Sequence, residues 1–202
     1  MALVSKYNPA WPTWFLQIRG LIAEKLGSYC LVIEHFGSTA VPGMTAKPII
    51  DLDVVIEPDR FDEVKRLLGE LGYSHLGDLG IPEREAFTLG NAEIAQPLPP
   101  DHLSPLASLL SRRRRRRALP PHHLYVCPRE SAELKRHRAF RDFLRTHPDW
   151  VARLSELKRS LCELHGDDRE AYMEGKSAMV QEITSLALPD AMNRDQHNEP
   201  RG

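Results

Sequence analysis

Residues 36–56 read FGSTAVPGMTAKPIIDLDVVI, and this stretch decides the fold. Its second half, Ile49 to Ile56, is rich in β-branched residues and almost continuously apolar, interrupted only by Asp51 and Asp53. Such a run predicts a buried strand. Strand side chains alternate, so the two acids share one face, roughly 6–7 Å apart along the chain, while Leu52 enters the opposite layer. Two like charges on a buried strand repel and lose solvation. A divalent cation removes both penalties. Mg²⁺ suits carboxylate oxygens plus substrate phosphates, and paired ions can clamp the oxygens of a phosphoryl transfer. The first half supplies the other partner. Gly37 lets an anion approach the backbone, Ser38 adds a hydroxyl, and a short helix near Thr39 would turn free N–H groups toward the same place.

Upstream, residues 9–26 carry Trp14, Ile18, Leu21, Ile22 and Leu26 at helical spacing, with Pro9 and Pro12 at the start and Gly27 at the end. Leu31 to Phe36 predicts a short strand. Downstream, Asp59 is the expected N-cap of a helix through Phe61, Val64, Leu67 and Leu68. Strands are expected at Tyr73 to Leu76 and Glu85 to Leu89, then at His122 to Cys127. Three helices follow, over residues 131–146, 148–164 and 168–186, with Ser131 capping the first and Pro148 in the first turn of the second. Residues 90–121 hold several prolines and Arg112 to Arg117, and are expected to form an exposed insertion. Pro189 is expected to close the folded part, leaving 189–202 as a disordered tail. Mixed strands early and helices late predict one α/β (α+β) domain, a small mixed sheet flanked by helices over residues 7–188.

At 202 residues the chain can bury an ordinary core. Hydrophobic residues make 42% and charged residues 27%, which excludes full-length disorder. No apolar run nears the roughly 18 residues of a membrane span, and Met1 to Pro12 has no secretory apolar block. Cys30, Cys127 and Cys162 are too few and too scattered for a disulfide framework or a zinc site, so reduced thiols and a cytoplasmic location are expected. Net charge is −1. Setting the six consecutive arginines aside leaves 21 of 27 basic residues against 28 acidic ones, a body of −7. That is not the broad positive field of a duplex-DNA binder.

The run His35 to Asp53 closely resembles the signature of the GrpB family, within the DNA polymerase beta-like nucleotidyltransferase superfamily. The stretches His122 to Val126, His137 to Arg145 and Tyr172 to Lys176 look similar to that family too, and the resemblance spans residues 7–188. It implies a nucleotidyltransferase-like sheet of five strands or fewer, with Gly37 and Ser38 at nucleotide phosphates and Asp51 and Asp53 on Mg²⁺. It brings no agreed reaction, and fold membership does not fix function. The superfamily usually adds a third carboxylate on a later strand. Here that strand, His122 to Cys127, has no acid. His122 or His123 could replace it as metal ligand or general base, and alternation lets only one face the acids. Leu124 and Val126 read as core, which favours His123.

Five basic residues complete the candidate set. Lys47 either reaches a phosphate or is a solvated loop lysine. Arg84, where the family commonly carries a basic residue, is a candidate phosphate contact. Lys176 sits one helical turn after Tyr172 and can share a face with it. Arg138 and Arg141, with His137, form either a basic stripe or a solvated face.

Three functions compete. The first is a metal-dependent nucleotidyltransferase that takes a nucleoside triphosphate or related phosphorylated small molecule to an unknown acceptor. The second is a non-catalytic domain of the same fold that holds a nucleotide or CoA precursor. CoA chemistry enters because GrpB-like domains occur fused to dephospho-CoA kinase. The third uses Arg112 to Arg117 for weak, salt-sensitive polyanion binding. That block lacks interleaved aromatics, so a stacking platform for nucleic acid is not expected.

Overall fold

The computed structural model describes residues 4–89, 119–166 and 168–197. Helix α1 spans Trp11–Leu26 and starts with Pro12 in its first turn. Gly27 stops it at φ 54°, its N–H bonding to the Ala23 carbonyl. Strand β1 (Val32–Phe36) leads through a short 3₁₀ turn, Ser38–Ala40, and a loop into β2 (Ile50–Ile56). Then come α2 (Phe61–Glu70), β3 (Tyr73–Gly77) and β4 (Glu85–Leu89). Strand β5 (His122–Pro128) is followed by α3 (Ala132–Thr146), α4 (Pro148–His165) and α5 (Arg169–His197).

The five strands form one mixed sheet in the order β1-β2-β5-β4-β3. Only β2 and β5 run parallel, and the other pairs are antiparallel. Alternation along β2 splits the molecule into two layers. Ile50, Leu52, Val54 and Ile56 enter a core with Trp11, Ile18 and Ile22 of α1 and Val64 and Leu68 of α2. Asp51, Asp53 and Val55 face the other way. There Val55 packs with Phe36, Cys127 and Leu134, at the foot of α3. The register sets Asp51 between Phe36 and His123, and Asp53 between Glu34 and Tyr125. A separate apolar cluster joins the three last helices to the loop before β2, with Val41 and Met44 buried among Phe143, Leu144, Leu154 and Ile183.

Several boundaries differ from the sequence expectation. Asp59 is not an N-cap: Pro58–Arg60 form a 3₁₀ turn, and Arg60 precedes α2 without a side-chain cap. Ser131 does cap α3, accepting from the Leu134 N–H at 3.4 Å. Pro189 does not end the fold, because α5 carries on through it to His197. Of the expected insertion, residues 90–118, with the arginine block, lie outside the described residues. Its last part is already structural: Leu119 packs against the core, and the Pro121 carbonyl accepts from Ile50. Among the described residues, no helix is long and apolar enough to cross a membrane.

Candidate functional site

Gly37 adopts φ 68°, and a Cβ built there would overlap the Asp51 carboxylate. Glycine is therefore required twice, for backbone shape and for close approach. The turn after it is held from both sides. On the α1 side, His35 Nε2 lies 3.0 Å from Thr39 Oγ1, with the His35 ring stacked on Phe15. Burial pulls this imidazole down to about 4, so it is neutral at pH 7. On the other side, Lys158 of α4 donates to Ser38 Oγ at 2.6 Å and to the Thr45 carbonyl at 3.1 Å. Ser155 Oγ accepts from the Thr45 N–H, and Arg159 reaches Thr45 Oγ1.

Ser38, Asp51 and His123 line one wall of a cavity of about 250 Å³, with Tyr125 beside them. The opposite wall is Lys158, Arg169, Tyr172 and Lys176, and Lys47 closes the edge. Four basic side chains thus face one carboxylate. Lys158 is only 4% exposed, and both of its hydrogen-bond acceptors are uncharged. Burial, then Lys176, pulls its amine down to about 7. Burial, then Lys47, lowers Lys176, while burial, then Arg169, lowers Lys47. Lys47 and Lys176 also bracket the Tyr172 ring, at 5.2 and 5.5 Å from its centre. Crowded cations that depress each other's protonation form a site short of negative charge.

The two candidate histidines part company. His123 Nδ1 lies 2.9 Å from Asp51 Oδ1, and its other nitrogen has no partner among the described residues. His122 is on the opposite face. Its Nε2 meets the Tyr73 hydroxyl at 2.6 Å and its Nδ1 meets the Pro120 carbonyl at 2.7 Å. Burial lowers its pKa. It belongs to the edge of the core, which corrects the expectation that it could serve in place of His123 as a base. Alternation, together with the burial of Leu124 and Val126, is the cause.

Asp53 is also placed differently from expectation. It shares a face with Asp51 but lies beneath the cavity, fully buried. Its Oδ1 meets Arg84 Nη2 at 3.4 Å, and its Oδ2 meets His137 Nδ1 at 3.2 Å and the Cys127 thiol at 3.8 Å. Arg84 lies flat on Tyr125, 3.3 Å from the ring centre, and so pairs with Asp53 rather than reaching the cavity as a phosphate contact. His137 reaches Glu133 with its second nitrogen. Arg138 and Arg141 are not a free basic stripe either, since both pair with Glu34. Among the described residues, no group of three or more His, Cys, Asp or Glu side chains converges as a metal site. Among the described residues Asp51 alone brings a carboxylate to the cavity, and both oxygens of Asp53 are engaged. These donors do not fit a divalent ion bridging the pair.

The profile of one family, described as GrpB protein, matches residues 2–186. The chain belongs to the GrpB family. It is 35% identical over 189 residues to UPF0157 protein PA4798 of Pseudomonas aeruginosa, covering 90% of this chain and 65% of that one. It is 27% identical over 178 residues to UPF0157 protein YqkA of Bacillus subtilis, covering 86% of this chain and 43% of that one. The chain thus spans less than two thirds of each of these relatives. A crystal structure of the conserved protein GrpB from Enterococcus faecalis superposes with a TM-score of 0.71 at 28% identity, covering 93% of this chain and 98% of that one. The GrpB signature around Gly37, Ser38 and Asp51 forms the sheet-side wall of the cavity. Lys158 and Arg169, which sequence reasoning missed, come from the helices. Lys158 had a readable signal: it continues the buried α4 positions Val151, Leu154, Ser155 and Leu161, where an unpaired lysine is out of place.

Proposed function

We propose that this GrpB-family chain binds a nucleoside triphosphate or related phosphorylated small molecule in the cavity beside Ser38. The supporting observation is the convergence of Lys47, Lys158, Arg169 and Lys176 on one small cavity, with one of them a buried amine held only by neutral acceptors. Phosphate oxygens would supply the missing negative charge, and charge-assisted hydrogen bonds are the stronger ones. Calorimetric titration with ATP and with CTP tests this. Saturable binding that is lost in Lys158→Met and Lys176→Met supports it, and absence of binding for both nucleotides removes it.

A second reading, nucleotidyl or phosphoryl transfer, is favoured by one observation. The Asp51–His123 contact orients an imidazole at the cavity wall, an arrangement suited to a general base. Under this reading His123 takes the proton of the acceptor hydroxyl, and Asp51 fixes the ring. Nucleotide consumption across a panel of small-molecule acceptors tests it. Turnover that disappears in His123→Ala while binding persists supports transfer.

A further inference from the structure

We propose that Arg84 is the resident cation of this site, and that the cavity takes its phosphorylated ligand as a free anion rather than as a divalent-metal complex. This rests on the anion-binding reading above and adds the charge state of the ligand to it.

Three observations converge. Asp53 has no solvent exposure, and a buried carboxylate needs a counter-charge. The Arg84 guanidinium supplies it, itself only 9% exposed and stacked on Tyr125. An arginine cannot lose its charge at ordinary pH, so this compensation is permanent, unlike a dissociable ion. Second, the turn before Arg84 is built to hold it. Leu79 and Glu83 adopt φ 50° and 60°, which side chains rarely do, and the Arg84 N–H bonds to the Ile81 carbonyl. Arg84 Nε has no partner among the described residues, so this nitrogen gives up a hydrogen bond while the guanidinium stays on the carboxylate. Third, the cavity wall above is already cationic. A ligand-borne Mg²⁺ would bring two more positive charges against Lys47, Lys158, Arg169 and Lys176, with Asp51 as the one carboxylate among the described residues to receive them.

The test has two arms on the full chain. ATP is titrated in EDTA and again in excess Mg²⁺. Separately, Mn²⁺ alone is titrated into the wild type, Arg84→Met and Arg84→Lys, read by paramagnetic resonance. Expected are about tenfold tighter ATP binding in EDTA, no Mn²⁺ binding by the wild type or Arg84→Lys, and Mn²⁺ binding gained in Arg84→Met. Equal or tighter ATP binding with Mg²⁺ overturns the proposal. So does Mn²⁺ binding by the wild type that disappears in Asp53→Asn, a result independent of whether Arg84→Met folds. Failure of ATP to bind in either condition removes the anion-binding reading and with it the free-anion half of this proposal. The Mn²⁺ arm still decides the role of Arg84.

Discussion

Replacing Lys158 by methionine separates the cost of this amine from its use. The unfolded chain holds the proton up to the ordinary 10.5, whereas the folded chain releases it above about 7. Between those values the unfolded state binds more protons, so stability rises with pH across that window, and below it the full penalty remains. At 1.36 kcal/mol per pKa unit, housing the amine costs the fold about 4 kcal/mol at pH 7 and about 1 kcal/mol near pH 9.5. Methionine keeps the apolar stem but loses the bonds to Ser38 and to the Thr45 carbonyl, worth about 1 kcal/mol each. Lys158→Met is therefore expected to stabilise the chain by about 2 kcal/mol at pH 7 and to destabilise it by about 1 kcal/mol near pH 9.5. Urea unfolding of both proteins at the two pH values measures this, and any other titrating group common to both cancels in the difference. A difference between them that stays flat with pH would refute the reasoning. The same variant should lose ATP binding at every pH, so that at pH 7 it is a more stable protein with an emptier function.

Gly37→Ala combines a left-handed backbone with overlap on Asp51, and a loss of about 1–3 kcal/mol with weakened ATP binding is expected in thermal and calorimetric assays. Asp53→Asn leaves the Arg84 charge buried without its partner, at a cost of about 3–5 kcal/mol; adding Arg84→Met should recover part of it in a double-mutant cycle, and strict additivity would argue against the pair. His122→Phe forfeits the contacts with Tyr73 and Pro120, lowering stability by about 1–2 kcal/mol without touching ATP affinity, whereas exposed His123→Ala should change stability by less than about 0.5 kcal/mol. If the two histidine variants exchange these behaviours, their assigned faces are wrong. A Cβ on Gly175 overlaps Leu161 across the α4–α5 contact, so Gly175→Ala should cost about 1–3 kcal/mol, rescued in part by Leu161→Val in the same melts.

The sheet was legible because its signals are local. The β-branched run at Ile50 to Ile56, broken only by Asp51 and Asp53, and the alternation at His122 to Cys127 need only a period of two, and together they separate His123 from His122. The shared face of Asp51 and Asp53 follows from the same rule. Their different depths do not, because depth is set by α3 and by the turn at Leu79 to Arg84, which close over Asp53 from 84 and 31 residues away. Arg84 and His137 therefore read as basic residues available to a ligand, when both are spent on an internal carboxylate. Asp59 misled for a local reason: Pro58 favours a 3₁₀ turn, which shifts the helix start past the acid. Pro189 misled because a single proline deep in a long helix removes one hydrogen bond without ending it.

The two walls of the cavity come from opposite ends of the chain. The hydroxyl and the carboxylate sit at Ser38 and Asp51, while three of the four cations sit between residues 158 and 176. Like-charge repulsion pushes those cations apart, since Lys176 depresses the protonation of Lys158 and Lys47 that of Lys176, and the Asp51 carboxylate offsets only part of it. What joins the walls is apolar burial a few residues away, where Val41 and Met44 lock into α3, α4 and α5. The loop between Ser38 and Thr45 is thus anchored at both ends, by the Asp51 contact at Gly37 and by Met44 in the helical cluster. Its polar groups are held in place before any ligand arrives, so the ordering cost has been met by folding rather than by binding. Hydrophobic contacts hold the like charges at close quarters, and an anion entering between them gains the relief of that repulsion as affinity.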